Sequence, residues 1–91
     1  TPYQSGDTVS IKLGSGEEIV ARFESESGDF VKIYKPLMLT ATQEGFGLAP
    51  FMFTVSPETA INLRTSNILC ILKTEDSMAQ QYLQNTTSLS V

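Results

Sequence analysis

Val9, Ile11 and Leu13 alternate with Thr8, Ser10 and Lys12, and after Gly14-Ser15-Gly16 the alternation returns as Ile19, Ala21 and Phe23 against Val20, Arg22 and Glu24. A period of two puts one set of residues on each side of an extended chain, so both segments read as half-buried strands. The glycines supply the backbone freedom of a tight reversal. The chain therefore makes a hairpin with one apolar face, and that face needs further sheet to cover it.

The remaining sequence offers such sheet. After Glu24-Ser25-Glu26-Ser27, Gly28-Asp29 reads as a second reversal and Phe30-Val31-Lys32-Ile33-Tyr34 as a strongly β-prone run. Pro36 ends or edges that strand, with Leu37-Met38-Leu39 available to resume it. Thr40 to Pro50, with Gly45 and Gly47 around Phe46, reads as the longest loop. Phe51, Phe53 and Val55 alternate with Met52 and Thr54 as a strand; Ser56-Pro57-Glu58 interrupts it before Ala60-Ile61-Asn62-Leu63 resumes, as one bent strand or two. Beyond a turn at Arg64-Thr65-Ser66-Asn67, the run Ile68 to Leu72 is apolar at every position, as expected of a strand covered on both faces. From Asp76 the spacing predicts a helix to Gln84, with Met78, Ala79, Tyr82 and Leu83 on one side, Gln80, Gln81 and Gln84 facing away, and Asp76 as its N-cap. The expectation is one domain over residues 1–91, with five or so strands, a C-terminal helix, and flexible ends at 1–6 and 85–91.

Composition removes several chemistries. Among 91 residues there is no His and one Cys, Cys70, so a thiolate–imidazole zinc site, a Cys–His pair and a Ser–His–Asp triad are unavailable within one chain. Glu17-Glu18 and Glu75-Asp76 lack the spacing of a calcium loop and read as solvated turns. Glu24 and Glu26 share a strand, with nothing in the sequence to suggest a pocket that would tune them as acid and base. The Gly45/Gly47 loop lacks the Lys and Ser/Thr of a phosphate-binding loop. No catalytic activity, cofactor or metal is expected. Cys70, inside an apolar strand, reads as a buried, inert thiol. Ile68 to Leu72 is the longest apolar run and is too short to span a membrane; no signal-peptide pattern opens the sequence, and a cytoplasmic setting is expected. With 6 Lys and Arg against 10 Asp and Glu, the net charge is −4. Nucleic acid is not attracted in bulk, and any contact with it must be local.

Two stretches carry a family resemblance. Val9-Ser10-Ile11-Lys12-Leu13, Gly16, Ile19, Ala21, Phe23, Glu24 and Ser25 are similar in order and spacing to the first Sm motif. Leu63-Arg64-Thr65-Ser66-Asn67-Ile68-Leu69-Cys70-Ile71 is similar to the second: an aliphatic residue, Arg, normally Gly, two further residues, then an apolar strand. The chain thus resembles the Sm and Sm-like family, which includes bacterial Hfq. The resemblance implies an all-β, strongly bent five-stranded SH3-like barrel, here with a C-terminal helix, whose fourth and fifth strands pair with neighbouring subunits and close a homo-oligomeric ring. Ile68, Leu69 and Ile71 then stand at the subunit contact. In the alternative, the helix at Asp76 to Gln84 covers that strand within one chain. Family members usually begin with a helix packed on the barrel; Thr1 to Gly6 is too short for one, so the C-terminal helix takes that place or covers another surface.

The resemblance also implies single-stranded, often uridine-rich RNA at the pore, stacked on the loop after the second strand and held by an Asn and by the Arg of the second motif. Counting from Ala21, the usual Asp is Ser27, the stacking position is Asp29 and the Asn position is Val31, so Arg64 alone is unchanged. A hairpin register shifted by one residue instead gives Phe30 the stacking role and Asp29 the Asp role. Thr65 replaces the usual Gly, and a β-branched residue resists positive φ. The bland readings are Arg64 paired with a nearby carboxylate, Phe30 packed in the core, and Lys32, Tyr34 and Lys35 on a solvated strand face. The expected function is a non-catalytic RNA-binding ring contacting RNA through Arg64, Phe30 and Asp29. The alternative, favoured by Ser27, Val31, Thr65 and the net charge, is a structural or protein-interaction ring that has lost the RNA site.

Overall fold

A computed structural model describes residues 3–56 and 58–88. In chain order these form β1 (Thr8–Leu13), β2 (Glu18–Ser27), β3 (Phe30–Thr42), β4 (Gly45–Pro50), β5 (Ile61–Arg64), a 3₁₀ turn (Thr65–Asn67), β6 (Ile68–Lys73) and α1 (Asp76–Ser88). The first hairpin closes as its glycines require: Gly16 has φ of 108° and its N–H donates to the Leu13 carbonyl at 2.9 Å. All ladders are antiparallel, in the spatial order β4-β3-β2-β1-β6. The long β3 is shared: its C-terminal half pairs with β4 and its N-terminal half with β5. Among the described residues no ladder joins β5 to β6, so the sheet is not closed.

Two irregularities bend the β2–β3 ladder. From Phe23↔Ile33 to Ser25↔Lys32, β2 carries one extra residue; from Arg22↔Tyr34 to Val20↔Leu37, β3 carries one, and there Lys35 has φ of 51°. Bulges of this kind bend a strand and increase its twist. The bent sheet encloses Val9, Ile11, Leu13, Ile19, Ala21, Phe23, Val31 and Ile33, with Phe51, Ile61, Leu63, Ile68 and Ile71 packed against them. Tyr3 joins this core, its ring edge-on to Phe23 at 4.7 Å between centroids. Burial, with a smaller contribution from the nearby Glu26, raises the Tyr3 hydroxyl above the ordinary tyrosine value. Residues 1–2 and 89–91 of the expected flexible ends lie outside the described residues.

Three readings of the sequence are corrected. Thr40 to Pro50 is not a loop: β3 runs on to Thr42 and turns into β4, with Gly45 at φ of 126° and the Thr40 and Thr42 hydroxyls donating to the Gly47 and Gly45 carbonyls. The glycines that read as loop residues serve a hairpin turn and its rim. Conversely, the segment from Phe51 to Val55 is not a strand. β4 ends at Pro50, which has no N–H to carry the ladder further; Phe51 reaches the core while Met52, Phe53 and Val55 are exposed. Finally, β6 is covered on only one face by its own chain, and α1 is not the cover. Leu69 is 68 % and Leu72 61 % exposed, and Cys70 is exposed too.

α1 leaves β6 open because it packs elsewhere. Tyr82, Val20 and Leu37 form a second apolar cluster on the outer face of β2 and β3. The Tyr82 hydroxyl donates to the Lys35 carbonyl at 2.8 Å and the Tyr34 carbonyl at 3.2 Å, pinning the helix to the β3 kink. Ala79 N–H donates to the Glu75 carbonyl, so Glu75 and not Asp76 is the N-cap, and Asp76 lies in the first turn, where a carboxylate favours the dipole. Leu83, expected on the packed side, is largely exposed. No helix among the described residues is long and apolar enough to cross a membrane.

Candidate functional site

Two turns distant in sequence meet at one end of the sheet. The β2–β3 reversal at Gly28-Asp29 lies beside the 3₁₀ turn after β5: Thr65 N–H donates to the Asp29 carbonyl at 3.0 Å, and the Thr65 hydroxyl donates to the Gly28 carbonyl at 3.2 Å. The turn follows Arg64 in extended conformation, and Lys35 is the sole non-glycine with positive φ among the described residues. Thr65 therefore stands in this turn without a left-handed backbone. A 3₁₀ turn needs no left-handed residue, and the hydroxyl that glycine lacks ties the two turns together.

The register then sets the side chains. Phe30 pairs directly with Arg64, and the Arg64 guanidinium carbon lies 5.4 Å from the centroid of the Phe30 ring. At this distance the cation is attracted to the ring face by about 0.5–1 kcal/mol at an exposed site. Both residues are open to solvent, Phe30 at 37 %. Among the described residues no carboxylate forms an ion pair with Arg64. Asp29 is exposed on the adjoining turn, whereas Val31 is buried in the core and unable to touch a ligand. The structure thus brings Arg64, Phe30 and Asp29 to one corner, with the Phe30 ring rather than the Asp29 carboxylate beside the guanidinium.

Arg64 also borders a concavity of about 370 Å³ formed with Leu13, Gly14, Ser15, Leu63 and Asn67. Its floor is tied by Gly14 N–H donating to the Asn67 carbonyl at 2.7 Å. A separate cleft of about 380 Å³, between Lys35–Leu37, the segment after β4 and Thr86, contains none of the three residues. No group of three or more His, Cys, Asp or Glu among the described residues could hold a metal. Sequence reasoning passed over Asn62, which is exposed opposite Lys32. The signal was present: once Ile61 and Leu63 are assigned to the core, alternation sends Asn62 and Arg64 to the other face.

Of the residues expected at a subunit contact, Ile68 and Ile71 pack against the core and Leu69 points to solvent. The cause is a register shift: β1 advances one residue from Lys12↔Cys70 to Leu13↔Ile68 while β6 advances two, which leaves Leu69 unpaired. Leu72, opposite Ser10, is the second exposed leucine of this strand. β6 pairs with β1 alone and lies at the end of the spatial order. The chain matches no protein-family model and no curated protein sequence.

Proposed function

We propose that this chain is an Sm-like barrel subunit that assembles into a homo-oligomeric ring and binds single-stranded, uridine-rich RNA at the Phe30–Arg64 corner, without catalysis. The observation that carries the reading is the exposed Arg64 guanidinium lying over the Phe30 ring. A planar guanidinium backed by an aromatic ring offers a base a stacking surface, and its N–H groups offer a phosphate hydrogen bonds. One stacked base contributes about 1–3 kcal/mol. Asp29, an acceptor beside the stack, favours a base edge with N–H donors and disfavours phosphate.

Assembly answers the charge problem. A chain of net charge −4 does not attract RNA broadly, but a ring gathers one Arg64 from every copy at a narrow opening. Two features support the ring and the barrel: β5 and β6 are free edges separated by a three-residue turn, and β6 bears two exposed leucines. Pairing β6 with β5 of the next copy satisfies both edges and covers Leu69 and Leu72. Those leucines equally favour a second reading, a structural or protein-interaction ring with no RNA site.

Native mass spectrometry at low salt with a short oligouridine separates the readings. A closed oligomer carrying RNA is expected, with affinity at least tenfold weaker in Arg64→Ala and the oligomer unchanged. Unchanged affinity in that variant removes Arg64 from the site, and a closed oligomer that takes no RNA leaves the interaction ring. Leu69→Glu combined with Leu72→Glu should yield monomers, and an intact assembly would refute the β6 contact.

A further inference from the structure

The outer face of β3 continues beyond the Phe30–Arg64 corner. Residues alternate in direction along a strand, and directly paired residues share a face with Cβ atoms about 4.5–5.5 Å apart. Phe30, Lys32 and Tyr34 therefore stand on one side of β3, opposite to core residues Val31 and Ile33. Across the β5 ladder they meet Arg64 and Asn62; across the β2 ladder they meet Ser27, Ser25 and Arg22. The result is two aromatic rings, an amide and three cations on one surface. Arg22, Lys32 and Arg64 are half of the chain's 6 Lys and Arg, and none forms an ion pair among the described residues. α1 packs on Val20 and Leu37 and reaches this stretch only through the Tyr82 hydroxyl on the Tyr34 carbonyl, which leaves Phe30, Asn62 and Arg64 exposed and Arg22, Lys32 and Tyr34 partly exposed.

Building on the reading of Arg64 and Phe30 as an RNA contact, we infer that the bound strand runs along the outer face of β3, with Tyr34 as a second stacking platform. Lys32 and Arg22 neutralise its phosphates and Asn62 meets a base edge between the platforms. Four residue steps along the strand separate Phe30 and Tyr34 by about 13 Å at 3.3 Å per residue. Stacked bases in a helical strand are about 3.4 Å apart, so these rings suit an extended, single-stranded ligand and not a duplex. The charge argues likewise: cations concentrate here in a chain that is acidic overall, while hydroxyls and an amide fill the spaces between them. A polyanion with flat apolar bases matches that alternation.

Fluorescence anisotropy with labelled oligouridines of increasing length, from a dinucleotide upward, tests the inference on the assembled protein. Affinity should rise steeply once the oligomer reaches both rings. Tyr34→Leu should then weaken the longer oligomers by roughly 5- to 150-fold, the range of one stacked base, while leaving the dinucleotide unchanged. Lys32→Gln, at a partly exposed position where folding is not at stake, should reduce the salt slope of the longer oligomers by about one. If Arg64→Ala abolishes binding while Tyr34→Leu and Lys32→Gln leave every length unaffected, the extended track is wrong and the corner site stands. If no oligomer binds the unaltered protein, the corner site itself fails and the track falls with it.

Discussion

The outer face of the β2–β3 ladder has two halves built from the same strands. Toward the β3–β4 end, Val20 and Leu37 are apolar and buried under Tyr82; toward the β2–β3 turn, Phe30, Asn62 and Arg64 stand exposed, with Lys32 half-buried among them. The covered half is held by burial and by a hydroxyl that caps two main-chain carbonyls at a kink. The open half is held from its edge, by two hydrogen bonds from Thr65 to the neighbouring turn. Packing thus supplies rigidity where no ligand is expected, and turn-to-turn ties position side chains where one is. Surfaces that bind are commonly left unpacked and carried on a rigid scaffold.

The strongest way to break this contrast is to remove the packed half. Tyr82→Ala deletes an almost fully buried aromatic and should cost about 3–5 kcal/mol in denaturant unfolding, with loss of helical circular dichroism. Undiminished stability shows that α1 contributes nothing to the sheet. A milder probe leaves the side chain in place. Burial pushes the Tyr82 hydroxyl up to about 12 despite the opposing charge of Arg22, against 10.0 when unfolded. The unfolded chain therefore loses this proton first as pH rises. The contribution of Tyr82 is intact below pH 10 and is lost between about 10 and 12. Thermal unfolding followed across that window should fall in the parent and flatten in Tyr82→Phe. The smallest effect belongs to the open half: Thr65→Val keeps the shape but removes the bond to Gly28, for about 0.5–1.5 kcal/mol. Oligouridine affinity should weaken in step, because Phe30 and Arg64 are no longer held in register. Full affinity in that variant means the tie is structural only.

Legibility differed by element. β1, β2 and their turn were readable because alternation and glycine placement act within a few residues. β4 was missed because Gly45 and Gly47 flank a Phe, a pattern shared by loops and hairpin rims, and only pairing with β3 separates the two. The segment from Phe51 to Val55 shows the reverse error: alternation was present, but no strand lies beside it. At the candidate site, the sequence singles out Arg64 and leaves open whether Phe30 or Asp29 stands beside it. That the Phe30 ring lies beside Arg64 depends on a ladder between residues more than thirty positions apart. Cys70 reads as buried in the sequence but is exposed, for a related reason. Uniform apolarity says that a strand avoids water, not whether its own chain supplies the cover.

The β-rich character, the C-terminal helix and the core faces of β1 to β3 were written in the amino-acid sequence, since they follow from local periodicity and residue chemistry. The tertiary structure alone decided that α1 sits on Val20 and Leu37, that β6 remains an open edge, and that Phe30 lies beneath Arg64. Each of these depends on the register between distant segments, where a shift of one residue exchanges the two faces of a strand.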